Sequence, residues 1–300
     1  MRDFLAVAEA GSIARAASRI FKASSAITRS IIELEASLRV SLFERKPRGM
    51  LPNAYGEAVK RRAERIRDEV DWAAEEFLRA QLKPSSSLRT TIINLLFTGR
   101  KLQLLILLTD LRNISSAAAQ MGITQAGASL ALSRIESGIG QSLFQRMMQG
   151  MVATDPAARL VMRAKRIFAE LRHMESDISA ISGNVAGTVA IGTLPLGRTF
   201  VVPTAIANAL SRHPGLRVTT IESPYEQLVG NLRSGDIDVL FGALRPNDAS
   251  QGLITKPLLN SRMGIVARAG HPLAQRRDMQ LADLLREKWI VPKPNATGTN

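Results

Sequence analysis

Residues 23–45 read ASSAITRSIIELEASLRVSLFER, and the order of apolar and polar groups in this stretch decides the fold. Ile27, Ile31, Leu34 and Leu38 recur at helical spacing and make one apolar face. Ser24, Ser25, Thr28 and Arg29 lie off that face, at its start. Upstream, Ile13, Ala16, Ala17 and Ile20 form a second short stripe, and only Phe21-Lys22-Ala23 separates the two. Two short helices at that spacing read as a helix-turn-helix, with the second helix free to enter a major groove. Leu42 and Phe43 can then anchor a loop to the core, so that Arg45, Lys46 and Arg48 reach phosphates as a basic wing. Periodicity alone fits an ordinary core helix and a charged surface loop equally well.

The detailed order separates the two readings. Ala-Ile-Thr-Arg-Ser-Ile, then Leu-Glu, then Leu-Phe-Glu-Arg, resembles the N-terminal domain of LysR-type transcriptional regulators over residues 4 to 80. The sequence departs from the family pattern at Ser25, where proline is usual, and at Arg39, where glycine is usual. It also starts only a few residues ahead of the first helix's apolar face, Phe4, Leu5, Val7 and Ala8, so that helix is expected to be clipped.

Composition bounds the partners. Three hundred residues suggest two or three domains, and 45% apolar residues suffice for real cores. A net charge of +14 favours a polyanion. An anionic membrane is the weaker alternative, because no apolar run reaches the roughly 18 to 20 residues a span needs. The opening Phe4–Ala10 imitates a signal peptide, but Glu9 interrupts it and Asp3 spoils its positive end. Without cysteine there is neither disulfide nor thiolate chemistry, and a cytoplasmic location is expected. The 4% of aromatic residues argues against base stacking on an aromatic platform as the binding mode.

An offset of 101 residues finds the same pattern again without a gap. Ile13, Ala16 and Ala17 become Ile114, Ala117 and Ala118, Glu35 becomes Glu136, and Ser41-Leu42-Phe43 becomes Ser142-Leu143-Phe144. The helix face Ile27, Ile31, Leu34, Leu38 becomes Ala128, Leu132, Ile135, Ile139. A second helix-turn-helix of the same type is therefore expected, although one copy per chain is the family's usual plan. Thr124, Gln125 and Ser129 keep polar groups at the helix start, but Leu130 replaces Arg29. The wing Gln145-Arg146-Met147-Met148-Gln149 keeps one cation, Arg146. This copy is expected to bind DNA more weakly or to serve as a platform.

Each copy is followed by a long helical pattern. In Glu57–Leu82, Val59, Ala63, Ile66, Val70, Ala73 and Phe77 share a face, and Pro84-Ser85-Ser86-Ser87 follows as a flexible break. In Ala157–Ile181, Val161, Ala164, Ile167, Phe168, Leu171 and Ile178 do the same. The resemblance makes these linker helices that self-associate with a partner chain; a lone helix packed on its own domain is the alternative.

From Gly187 strands and helices alternate. Strands are expected at Thr188–Thr193, Leu216–Glu222, Ile237–Phe241, Leu253–Leu259, Met263–Ala267 and Trp289–Val291, with helices at Phe200–Arg212, Tyr225–Ser234 and Leu281–Leu285. Gly187-Thr188-Val189, His213-Pro214-Gly215, Leu232–Asp238 and Ala269–Leu273 resemble the family's effector-binding domain, shaped like a periplasmic binding protein. That domain has two subdomains, and the chain stops just inside the second, so a fragment or a gene product cut short is expected. Strand ends place an effector at Leu194, Pro195, Leu196, Gly197, Arg198 and Thr199, with Gly242, Ala243 and Thr297. Arg198 is read there either as an anion anchor or, at least as readily, as a surface arginine near a turn. Gly192–Gly197 with Gly242–Arg245 resembles regulators linked to sugar (galactose) uptake, so a sugar or an organic acid is the expected effector.

No catalytic or metal chemistry is legible. His173, His213 and His271 lack ligand spacing, and no P-loop, Gly-x-Ser-x-Gly elbow or dinucleotide fingerprint occurs in context. No cofactor is expected. The fold class expected is mixed: two all-α winged helix-turn-helix domains with linker helices, then an incomplete α/β domain. The partition is 1–56, 57–87, 88–155, 156–184 and 185–300. The expected function is sequence-specific regulation of transcription on double-stranded DNA under a small-molecule effector. The alternative is a small-molecule binding and oligomerisation protein whose helix-turn-helix copies do not read DNA.

Overall fold

Gly11 stops the first helix and Ser12 starts the second, which sets the angle on which the N-terminal segment is built. A computed structural model describes residues 1–46, 49–79, 86–245, 253–260 and 264–290. It divides into two units, Met1–Phe241 and Gly242–Asn300. Helix α1 (Arg2–Ala10) ends at Gly11 in the left-handed region, φ 68°. The Ser12 hydroxyl then accepts from Arg15 N–H at 3.2 Å and caps α2 (Ile13–Ile20). After Phe21 comes α3 (Ser24–Leu38), which buries Ile27 and Ile31. Strands β1 (Phe43–Lys46) and β2 (Gly49–Pro52) form an antiparallel wing, and α4 (Ala54–Arg79) runs out of it.

The same order recurs at the offset of 101. Helices α6 (Gly99–Leu111), α7 (Ile114–Gln120) and α8 (Gln125–Ile139) lead to the hairpin β3 (Phe144–Met147) and β4 (Gly150–Ala153), then to α9 (Asp155–Ile181). The ties that hold each hairpin to its helices are equivalent. Glu35 accepts from Leu42 N–H at 2.6 Å, and Glu136 from Leu143 N–H at 2.7 Å. Met50 N–H donates to the Gly11 carbonyl at 2.9 Å, and Met151 N–H to the Arg112 carbonyl at 2.7 Å. A charge-assisted bond of the glutamate kind contributes about 1.5–3 kcal/mol. Helix α5 (Ser86–Leu96) lies between the two segments. Ser86 and Ser87 are thus helical and do not belong to a break; serine starts helices as readily as it interrupts them. Pro84 and Ser85 lie outside the described residues.

Helices α4 and α9 pack antiparallel. Their faces, from Val59 through Phe77 and from Leu160 through Ile178, belong to one buried cluster. Reciprocal ion pairs flank that cluster. Arg62 reaches Glu170 at 3.0 Å, while Arg163 reaches Glu69 at 2.8 Å. Arg65 reaches Glu170 at 3.6 Å, while Arg166 reaches Glu69 at 3.1 Å. Arg163 lies 5.4 Å from the Trp72 ring centroid, while Arg62 Nη1 lies 3.5 Å from His173 Nδ1. Each contact is carried onto its twin by the offset of 101, the signature of a two-fold interface. The stripes expected to pair with a partner chain are covered within this one, because each linker helix finds its complement at the other end of the same polypeptide.

Strands β5 (Ala186–Thr193), β6 (Gly215–Glu222) and β7 (Val239–Phe241) form a parallel sheet in the order β6-β5-β7. Helices α10 (Pro195–Arg198) and α11 (Val201–Arg212) connect β5 to β6, and α12 (Tyr225–Ser234) connects β6 to β7. In the second unit the strand expected at 253–259 does not form, nor do residues 264–267 or Trp289–Ile290 form strand; Met263 and Val291 lie outside the described residues. These β-branched runs have no hydrogen-bonded neighbour among the described residues, and Ile254, Val266 and Ile290 are fully exposed. A strand is stable only in a ladder with one face covered. Leu281–Leu284 is a 3₁₀ turn where a helix is expected. Among the described residues no single helix is long and apolar enough to cross a membrane.

Two outcomes follow. Arg39 ends α3 in the left-handed region, φ 58°, where its twin is Gly140 at φ 78°. Arg39→Gly relieves the clash of a Cβ there and should raise stability by about 1 kcal/mol in a denaturant melt. Glu69 and Glu170 are each 18% exposed and each hold two arginines. Glu69→Ala and Glu170→Ala should therefore cost similar amounts, about 2–4 kcal/mol each.

Candidate nucleic-acid interface

The start of α3 is open. Its N-cap is Ala23, which offers no side-chain cap, so the first backbone N–H groups remain available to an anion. Ser24, Ser25 and Arg29 are exposed on that first turn, and Thr28 is half-buried with its hydroxyl donating to the Ser24 carbonyl at 2.9 Å. Among the described residues Arg29 has no carboxylate partner. The apolar face beneath, Ile27 and Ile31, fixes the helix to α1 and α2 through a small core with Val7 and Ala16. In the wing, Arg45 and Lys46 stand opposite Met50 and Gly49. Arg48 lies outside the described residues. The ring of Phe43 packs 5.2 Å from Phe4, so the wing is anchored to α1.

The start of α8 is closed by its own side chains. Thr124 accepts from Gly127 N–H at 3.1 Å, and Gln125 Oε1 accepts from the Ser115 hydroxyl at 3.0 Å. Ser129 is half-buried and Arg146 exposed. Leu130 is 53% exposed, and Met147 and Met148 project from the wing at 57% and 107%. Equivalent backbones thus present a cationic, uncapped helix start in one place and an apolar, capped one in the other.

Among the residues expected at an effector site, Leu194 and Gly197 are buried, while Pro195, Leu196, Arg198 and Thr199 are exposed. Leu194 N–H donates to the Phe241 carbonyl at 3.0 Å, which sets this loop at the carboxyl ends of β5 and β7. The strand order reverses there, the usual position of a ligand crevice. A groove of about 440 Å³ beside it is lined by Thr193, Arg198, Val202, Ile206, Thr220 and Glu222. Arg198 is paired with Glu222 at 3.2 Å, a surface contact that an anion would have to displace. Gly242 and Ala243 belong to the second unit, and Thr297 lies outside the described residues.

A further set of residues was given no role at the site from sequence. The turn from Arg233 to Asp238, between α12 and β7, is clamped onto α9. Lys165 bridges Asp236 at 2.9 Å and Asp110 at 3.0 Å, which belongs to α6. Arg166 donates to the Arg233 carbonyl and Arg172 to the Gly235 carbonyl. His173 Nε2 lies 2.7 Å from Asp238, whose other oxygen accepts from Ala190 N–H in β5. Gly235, at φ 78°, brings the turn so close that a Cβ would meet Ala169 of α9. The run Arg-Ser-Gly-Asp-Ile-Asp carried the signal: two acids on alternate residues after a glycine. Burial works against the Lys165 ammonium, but its hydrogen bonds to Asp236 and Asp110 outweigh that and hold its pKa above the ordinary value. The Arg62 guanidinium is likewise held further up by its hydrogen bond to Asp177.

The model of bacterial regulatory helix-turn-helix proteins of the lysR family matches residues 1–57 and again residues 100–158, and the LysR substrate binding domain model matches residues 182–300. GalR of Pseudomonas putida, an HTH-type transcriptional regulator, is 39% identical over 293 residues, which cover 98% of this chain and 71% of GalR. The chain belongs to the LysR family. GbpR of Rhizobium radiobacter, also an HTH-type transcriptional regulator, is 30% identical over 65% of this chain and 65% of its own length. Among solved structures, a full-length OxyR from Pseudomonas aeruginosa covers 49% of this chain and 50% of its own at 18% identity and a TM-score of 0.39.

Lys165 generates an outcome. Its pKa is raised in the fold, so its contribution is complete below the ordinary lysine value and is lost only as pH rises through the higher folded value. The stability gap between wild type and Lys165→Met should stay constant across neutral pH and narrow only above about 10.4, measured by thermal melts.

Proposed function

We propose that this LysR-type regulator carries two copies of the helix-turn-helix, and that they divide the work of binding double-stranded DNA. The observation that carries this reading is the contrast between the uncapped, cationic start of α3 and the capped, apolar start of α8 on equivalent backbones. Ser24, Ser25, Thr28 and Arg29 meet bases and nearby phosphates in the major groove, and Arg45, Lys46 and Arg48 hold the register as a wing. Thr124, Gln125, Ser129 and Arg146 make a weaker set. The domain partition is two winged helix-turn-helix domains with their linker helices, followed from residue 185 by an effector-binding α/β domain. A small molecule, a sugar or an organic acid, occupies the loop 194–199 at the ends of β5 and β7. A DNA reader of this kind works in the cytoplasm, where bacterial DNA lies.

The clamp of Arg233–Asp238 on α9 gives the effector a route to the DNA-binding segments. The loop 194–199 and this turn flank the same three strands, and the turn grips the helix that carries the second segment.

A second reading is supported by the apolar surface of Leu130, Met147 and Met148. On that reading the chain binds a small molecule and assembles without reading DNA. Calorimetry with sugars and organic acids beside a gel-shift titration separates the two: ligand binding with no preference for a promoter over random duplex favours the second reading.

The asymmetry has measurable consequences. Arg29→Ala should cost about 1–3 kcal/mol of specific binding. Arg45→Ala should flatten the log–log salt dependence by about 0.9, and the equivalent Arg146→Ala should change it little. Leu130→Arg should steepen the slope by about 0.9, as a phosphate contact is restored. Equal losses from Arg45→Ala and Arg146→Ala would overturn the asymmetric model.

A further inference from the structure

Each winged segment sits at the N-terminal end of its long helix, and the two long helices run antiparallel. Tyr55, at the start of α4, touches Ser182, at the end of α9, at 3.1 Å. Arg159, near the start of α9, touches Glu76, near the end of α4, at 2.7 Å. The helices therefore overlap along nearly their whole length, 26 and 27 residues. At about 1.5 Å per residue this makes a rod of about 40 Å with one winged segment at each end. Each segment is folded back on its rod, through Glu9 to Arg67 at 2.8 Å and through Asp110 to Lys165 at 3.0 Å. Taken as the spacing of the two reading helices, the rod length is close to one turn of B-DNA, about 34–36 Å.

We infer that a single chain is the whole two-site DNA reader: α3 and α8 of one molecule occupy successive major-groove sites about one turn apart on an unequal, directional operator. This rests on the DNA reading proposed above. The reciprocal contacts of α4 and α9 occupy the faces that would otherwise recruit a second chain, so the pair is closed within the molecule. The two half-sites differ because the two faces differ. The α3 half-site is read by Arg29 and the polar first turn. The α8 half-site meets Leu130, an apolar group suited to a thymine methyl, with few phosphate contacts. A palindrome would waste one of its halves on a surface built for another sequence.

The test starts from duplexes selected from a random pool by the full chain. Hydroxyl-radical footprinting is combined with the mass of the complex in solution. The expected result is two protected patches, about 10 base pairs apart, for each bound chain. Arg29→Ala should weaken binding about 5- to 150-fold and lower the protection of both patches together, whereas Leu130→Glu, an exposed change that leaves the fold intact, should expose only the weaker patch. Inserting about five base pairs between the patches turns the second half-site away and should lower affinity at least tenfold. One patch per chain, or two equal palindromic patches that require two chains, overturns this inference and leaves the DNA reading standing. No preference for any duplex over random DNA overturns both.

Discussion

The structure depends on the reciprocal pairing of α4 with α9. A helix of that length with a continuous apolar stripe must bury the stripe against something, because packing supplies most of the stability of helices in proteins. Here the stripe of each covers the stripe of the other, and Glu69 and Glu170 each hold two arginines of the opposite helix. Since both helices descend from one pattern repeated at a fixed offset, a surface that complements itself across a two-fold axis also complements its own repeat. The offset of 101 residues places the second stripe where the chain can return and lay it antiparallel on the first.

The two winged segments show which residues the fold fixes and which it leaves free. Glu35 and Glu136, Leu42 and Leu143, and the close approach of each hairpin to its first helix are retained, because they hold the hairpin to its core. The outward positions are not constrained in this way, and there the segments diverge, as at Arg29 and Leu130. The same core thus supports two surfaces of different chemistry. The cost of charge is also local: arginines that face inward are paired, as at Arg62 and Arg163, while Arg29 at the start of α3 stays exposed.

Much of this was legible in the sequence. The short helices, the hairpins, the recurrence of their order at an offset of 101 and the three strands of the sheet follow from periodicity and turn residues, and the structure contains these elements. What covers the linker stripes was not legible: a buried face records that it is covered, not by which chain. Ser86 and Ser87 read as a break because serine favours both loops and helix starts. The runs near Ile254 and Val266 have β-branched composition, but composition cannot supply the ladder partner a strand needs. Arg198 read equally as an anion anchor or a surface arginine; its partner Glu222 sits 24 positions away, on a neighbouring strand whose register the sequence does not state. The clamp on α9 was hidden for the same reason. Its acids lie in one motif and its bases in another, and only the fold brings Lys165 to Asp236 and His173 to Asp238.

The central claim is that the long helices pair within one molecule, and the sequence offers a direct way to check it. The chain contains no cysteine, so two introduced thiols are unique. Tyr55→Cys with Ser182→Cys puts one on each helix where their side chains touch. After treatment with a short bismaleimide and denaturation, the account predicts a cross-linked product with the mass of a single chain, in a yield that does not fall on dilution with unsubstituted protein. A product of twice that mass, lost on dilution, would contradict it.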